Sequence, residues 1–261
     1  MDMIKQIILV TDGCSNVGTS PVVAAAHAYA EGIVVNVIGI LDHGDLGQRG
    51  AFEVGEIARA GGGLSRLVHA HQLSQTIQMM TRQTVACTIR QTVQEELKKI
   101  MTTKQMNQPT TDPIEVLSPQ QRAQVIEVMD EMVETVSLRM SLLLDTSASM
   151  KSKWSAVIEA IHDLGLSLQA RQGANEISIY RFPASSAHKL ACEKLLHPTN
   201  QLAKMGELFY NLEMRGTTPS GPAILEVVRD MIQEYNGTYS KDKIQAQPRH
   251  NRDGLLSDYI V

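Results

Sequence analysis

Aromatic side chains are scarce. They make up 4% of the 261 residues, with a single Trp. A chain so poor in stacking surface is not expected to be a single-stranded nucleic-acid platform. Positive charge is not in excess either. Lys and Arg number 24 against 28 Asp and Glu, for a formal net charge of -4, which argues against binding a phosphate backbone. The three cysteines, Cys14, Cys87 and Cys192, form no C-x-x-C pair, so neither zinc nor a disulfide framework is suggested, and a reducing compartment fits. Long apolar runs are missing. The stretch Ile33–Leu41 falls far below the length that crosses a bilayer. The apolar residues 7–10 stop at Asp12 and read as a strand rather than a signal peptide. No membrane partner and a cytoplasmic location are expected. Hydrophobic residues nevertheless reach 43%, enough to build a sizeable core.

The first hundred residues alternate strand and helix. Gln6–Thr11 and Ile33–Ile40 are continuous apolar strands, and Leu64–His69 is a third. Ser20 or Pro21 opens a helix through Ala30, ended by Gly32; Ala51–Ala60 is a second helix, stopped by Gly61–Gly63. A long helical pattern runs from Gln72 to about Met101. From Thr102 to Pro119 the chain turns polar and loses periodicity, as a linker does. Ser118 then caps a helix with Pro119 in its first turn. Its residues Val125, Ile126, Val128, Met129, Met132, Val133 and Val136 have helical spacing, and a packing helix is expected.

The last part opens with the strand Leu138–Leu144. A helix from Lys151 to about Arg171 follows, then a strand at Glu176–Phe182 with an antiparallel neighbour at His188–Leu195. Leu202–Leu212 is expected to be helical, and a final helix should run to about Tyr235. Alternating β and α units of this kind predict an α/β fold with a doubly wound, mostly parallel sheet.

Three turns carry the candidate chemistry. Asp145-Thr-Ser147-Ala-Ser149 ends one buried strand and can aim three oxygen side chains at one point. Thr11-Asp12-Gly13 ends another. Gly216-Thr-Thr218-Pro219-Ser-Gly221 precedes a helix. Mg²⁺ takes oxygen ligands in octahedral geometry and keeps some waters, which suits this donor set. Each turn alone is weak, because Asp, Ser and Thr are ordinary turn and cap residues. Together, on predicted strand ends and a helix start, they suggest one metal site.

The three motifs resemble the metal-ion-dependent adhesion site of von Willebrand factor A domains, with the order of the parts rearranged. The sequence looks similar to cytoplasmic A-domain proteins of endospore-forming bacteria. The resemblance implies Asp145, Ser147, Ser149, Thr218 and Asp12 as metal-site residues, with Thr218 preferred to Thr217. It implies Mg²⁺ as the ion, or Mn²⁺ or Ca²⁺, and a protein partner whose Asp or Glu fills an open coordination position. In the family the D-x-S-x-S strand comes first and the T-D-G strand and the V-x-V-I-G-I type strand come later. Here Thr11-Asp12-Gly13 and Val35–Ile40 come first. Circular permutation accounts for this, since domain termini often lie close together. Residues 1–100 would then be the second half of the domain and residues 138–236 the first half. Residues 101–137 would be a linker plus packing helix, and 237–261 a mobile tail. The long linker permits closure within one chain or a domain-swapped dimer.

Other residues have ordinary readings beside sharper ones. Ser15 and Asn16 either line the site loop or serve as turn residues. Cys14 is either a reactive thiol or a small filler. His27, His69, His71, His162 and His188 show no ligand spacing with Cys or carboxylates, and Met79, Met80, Met129, Met132 and Met150 are expected in the core. A Mg²⁺-dependent phosphotransferase with an aspartyl nucleophile is the alternative function. Against it, Ser147 stands where such enzymes place a second Asp, and no Gly-x-x-x-x-Gly-Lys motif occurs. A non-enzymatic recognition module is therefore expected.

Overall fold

Six strands form one sheet in the order β3-β2-β1-β4-β5-β6. The computed structural model describes residues 3–13, 15, 17–41, 48–102, 112–185, 190–200, 209 and 212–245. The strands are β1 (Ile4–Thr11), β2 (Ile33–Leu41), β3 (Gly62–His69), β4 (Leu138–Asp145), β5 (Asn175–Phe182) and β6 (Glu193–Thr199). All neighbours pair in parallel except β5 and β6. The helices are α1 (Pro21–Ala30), α2 (Gln48–Ala60), α3 (Leu73–Thr102), α4 (Pro113–Val116), α5 (Pro119–Thr135), α6 (Trp154–Gln169) and α7 (Ser220–Gln245).

The period of two in each strand sends alternate side chains to opposite faces. In β1, Ile8 and Val10 join the core under α3 and α6, while Ile7 and Leu9 join the core under α1, α2 and α7. Helices therefore cover both faces, and this is a doubly wound α/β fold. Strands β1, β2 and β3 step outward in one direction and β4, β5 and β6 in the other. The reversal falls between β1 and β4, whose residues pair from Ile4↔Leu138 to Val10↔Leu144. At such a switch point the loops leaving adjacent strands diverge to opposite faces and leave a crevice.

A polar pair sits inside the sheet, between β1 and β2. The Asn36 amide donates to Gln6 Oε1 at 3.2 Å, and Asn36 Oδ1 accepts from Leu64 N at 2.9 Å and Thr84 Oγ1 at 3.0 Å. Both residues are fully buried, and their mutual bonds offset the desolvation that burial costs. Asn36 also lies where the β2–β3 register shifts between Val35 and Val37.

Several expectations need correction. β6 is antiparallel to β5 as expected but begins at Glu193, not His188. Glu226 accepts from the backbone N–H groups of Ala191 and Cys192, which removes them from a ladder. Residues 186–189 lie outside the described residues, as does nearly all of the expected helix Leu202–Leu212. α7 continues through Asn236-Gly237 to Gln245, so the tail expected from 237 is helical to that point, and 246–261 are outside the described residues. A short helix, α4, interrupts the expected linker. Asp112 caps it by accepting from Ile114 N at 3.0 Å, and also takes hydrogen bonds from Arg90 and Gln94 of α3. Burial is the largest single influence and raises its carboxyl, but these bonds and the Arg90 charge together hold it below the usual range.

Packing by α5 is one-sided. Met129, Met132 and Val133 lie against the core, but Ile126 and Val128 are exposed. A helix turns 100° per residue, so the apolar stripe is wider than the contact it makes. Met79 is likewise exposed, whereas Met80 and Met150 are fully buried. Among the described residues, no helix is long and apolar enough to cross a membrane.

Candidate metal centre

Strand ends β1 and β4 place two acids side by side. Asp145 is the last residue of β4, and Asp12 follows β1 directly. Each leaves its strand at the carboxyl end, so each side chain meets the crevice. Asp145 is fully buried and the Asp12 side chain is 1% exposed. Thr11 Oγ1 donates to Asp145 Oδ2 at 2.6 Å across the β1–β4 seam. Ser147 N donates to Asp145 Oδ1 at 2.8 Å, closing the turn that follows the strand.

That turn brings the two serines into the same place. Ser147 Oγ and Ser149 Oγ share a hydrogen bond of 3.1 Å, and Ser149 Oγ donates to Asp12 Oδ1 at 2.8 Å. A hydrogen-bonded chain therefore runs from Asp145 through the Ser147 backbone N–H, and from the Ser147 hydroxyl through Ser149 to Asp12. Ser147 is buried, whereas Ser149 is exposed, so the chain opens to solvent at Ser149. Met150 is fully buried beneath it and fixes the short 3-10 turn Ala148–Ser152 against the core.

The loop before α7 packs against the same turn. Arg215 N donates to Thr146 O at 3.0 Å, and Thr146 N in turn donates to Phe182 O at the end of β5. Gly216 takes the left-handed φ of 95°, a conformation that disfavours a side chain. Thr218 is buried while Thr217 is exposed, so the buried residue of the pair is the one expected as ligand. The Thr218 carbonyl accepts from Ser15 Oγ at 3.3 Å, tying this loop to the segment after β1. Glu53 of α2 holds the same segment, accepting from Ser15 N at 3.1 Å. Tight backbone packing completes the junction. A Cβ on Gly221 would lie 1.9 Å from the Thr19 carbonyl oxygen, so only Gly fits there. Ser15 thus belongs to the site loop; Cys14 and Asn16 lie outside the described residues.

Burial raises the Asp145 carboxyl above its ordinary range. Hydrogen bonds from Thr11 and Ser147 oppose the shift, and the nearby charge of Asp12 adds to it. Three participants were not assigned from sequence. Thr11 stood in the T-D-G motif without a role. Glu53 is distant in sequence and carries no local signal. Lys153 is the largest omission. Its Nζ donates to Asp12 Oδ2 and to Ser149 O, with 4% of the side chain exposed.

The donors are oxygens only. Among the described residues no group of three or more His, Cys, Asp or Glu side chains gathers for a metal. Two buried carboxylates with serine and threonine hydroxyls fit a hard cation that retains water, and do not fit a soft or nitrogen-seeking one.

Fold and site together define a doubly wound α/β protein with an oxygen-lined crevice at the switch point of its sheet. No protein-family model matches the chain. The chain belongs to the family of the uncharacterized protein YabS of Bacillus subtilis (strain 168), with which it is 44% identical over 255 residues, covering 98% of this chain and 94% of that protein. It is also similar to the crystal structure of an uncharacterized protein from Alicyclobacillus acidocaldarius subsp. acidocaldarius DSM 446. There the TM-score is 0.81 at 39% identity, over 90% of this chain and 97% of that one.

Proposed function

We propose that the chain is a metal-dependent protein-recognition module of von Willebrand factor A type, circularly permuted, that binds an acidic side chain of a partner protein. The observation that carries this reading is the hydrogen-bonded run from Asp145 through Ser147 and Ser149 to Asp12. Those residues come from two strands far apart in sequence and meet at one solvent-facing point. Asp12, Asp145, Ser147, Ser149 and Thr218 would hold Mg²⁺, with Mn²⁺ or Ca²⁺ as substitutes. A bound divalent ion would supply an open coordination position for a carboxylate. A charge-assisted bond of that kind is short and directional.

The permutation follows the chain order. β1 with Thr11-Asp12-Gly13 precedes β4 with the D-x-S-x-S turn, yet the two strands are neighbours. Residues 101–137, with α4 and α5, would connect the two halves, by closure within one chain in preference to a domain-swapped dimer. The phosphotransferase reading is less well supported. Ser147 stands where an aspartyl-nucleophile enzyme places a second Asp, so the general acid is missing.

Capture of a partner tests the reading. The full chain, immobilised in Mg²⁺, is incubated with native extract of its source organism and eluted with chelator. A protein retained by wild type, released by chelator and not retained by folded Asp145→Asn is the expected result. Retention unchanged by chelator and by Asp145→Asn would place recognition on another surface.

A further inference from the structure

The crevice already contains a cation of its own. We infer that Lys153 is a tethered positive charge that competes with the divalent ion for Asp12 and sets how tightly the site binds metal. This rests on the metal-site reading above and extends it to a residue outside the expected ligand set.

The placement of Lys153 is enforced. It ends the 3-10 turn after Ser149, where its N–H donates to Met150 O at 3.0 Å. Its own carbonyl accepts from Ala156 N and Val157 N, so it is also the first anchor of α6. The backbone is thereby fixed at both ends, and the side chain points into the crevice with 4% exposed. There Nζ forms an ion pair with Asp12 Oδ2 and donates to Ser149 O at 3.3 Å. The other Asp12 oxygen takes the Ser149 hydroxyl. Both oxygens of Asp12 are thus occupied by groups of the chain itself.

Charge decides the consequence. Asp12 and Asp145 bring -2, and Lys153 brings +1, leaving -1 for the arriving ion to meet. A divalent ion must share or displace the ammonium at Asp12, and like charges a few ångströms apart in a buried site repel strongly. Once the ion is in, the same three charges sum to +1 with it, a balance that favours a further anion. Lys153 thereby weakens metal binding and strengthens the demand for an external carboxylate.

Neutral replacements should reveal this. In calorimetric titrations of the purified full chain with Mg²⁺ and with Mn²⁺, Lys153→Met and Lys153→Gln should bind about tenfold more tightly than wild type, or better. Lys153→Arg keeps the charge and should stay close to wild type. Metal-free melting temperatures of the neutral variants should fall, because Asp12 loses its buried partner, and should recover on adding metal. A purely structural Lys would lower the melting temperature without tightening the metal constant. If Lys153→Met does not fold, Lys153→Gln retains a donor for Asp12 and carries the comparison. Metal binding detected only in the neutral variants would also support the inference. Wild type that binds metal while folded neutral variants bind it no more tightly would overturn the role of Lys153 alone. No binding by any folded variant would overturn the metal site with it.

Discussion

Residues 1–102 and residues 112–261, produced as separate chains, are each expected to be unfolded or aggregated, and to recover a native spectrum only when mixed. The cut falls between α3 and α4, but its structural effect is at the centre of the sheet. It separates β1 from β4 and exposes two strand edges built to be covered. Ile7, Ile8, Leu9 and Val10 on one side and Leu142, Leu143 and Leu144 on the other are fully buried in the intact chain. Exposure of a side chain of this size costs about 1.5–3 kcal/mol. Losing that set is comparable to the ~5–15 kcal/mol net stability of an ordinary domain. Helices cross the seam on both faces as well, α1 against α7 and α3 against α6. Circular dichroism and sedimentation of each fragment, alone and mixed, make the check. A cooperatively folding monomer of residues 1–102 would show two independent units instead of one.

The second large effect is expected at Asp145. Asp145→Asn should leave the metal-free protein folded and remove any Mg²⁺-dependent rise in melting temperature. The substituted side chain keeps its carbonyl oxygen for Ser147 N, and its amide can donate to Thr11 Oγ1, so the turn survives. What disappears is a buried negative charge. Wild type at free Mg²⁺ of about 100 times Kd should gain about 2.7 kcal/mol from linkage, or roughly 5–10 °C for a domain of this size. The variant should gain none. The pH dependence follows from burial, which raises this carboxyl in the folded state. A group that holds its proton to higher pH when folded favours folding in acid, and that contribution is lost as pH rises through the raised value. Asp145→Asn should therefore flatten this part of the metal-free stability curve. Equal Mg²⁺ shifts in wild type and variant would rule Asp145 out as a ligand.

Much of this architecture is legible where one signal dominates. β1, β2 and β4 are continuous apolar runs, and α1 and α5 are framed by Ser-Pro starts. Local sequence alone sets those limits, and the structure agrees to within a residue or two at most of these ends. Long-range competition hides the rest. The start of β6 depends on a carboxylate from α7, 34 residues away from Cys192, that claims its backbone N–H. Met79, Ile126 and Val128 look like core residues because their spacing is apolar and helical, yet among the described residues no element covers them. Gln6 and Asn36 look out of place in buried strands until their pairing across the sheet is seen. At the site, the acids and serines carry motifs and are visible from the sequence. Lys153 and Glu53 carry none, because their partners Asp12 and Ser15 lie 141 and 38 residues distant.

Water-proton relaxation of bound Mn²⁺ tests the central claim most directly, since it senses the ion and its exchangeable waters together. Wild type should bind Mn²⁺ with enhanced relaxation, acetate should reduce that enhancement as its carboxylate replaces water, and Asp145→Asn should show none of it. Absence of enhancement in wild type and in Lys153→Gln alike, or an enhancement that neither acetate nor Asp145→Asn alters, would contradict a metal site with an open position for a carboxylate.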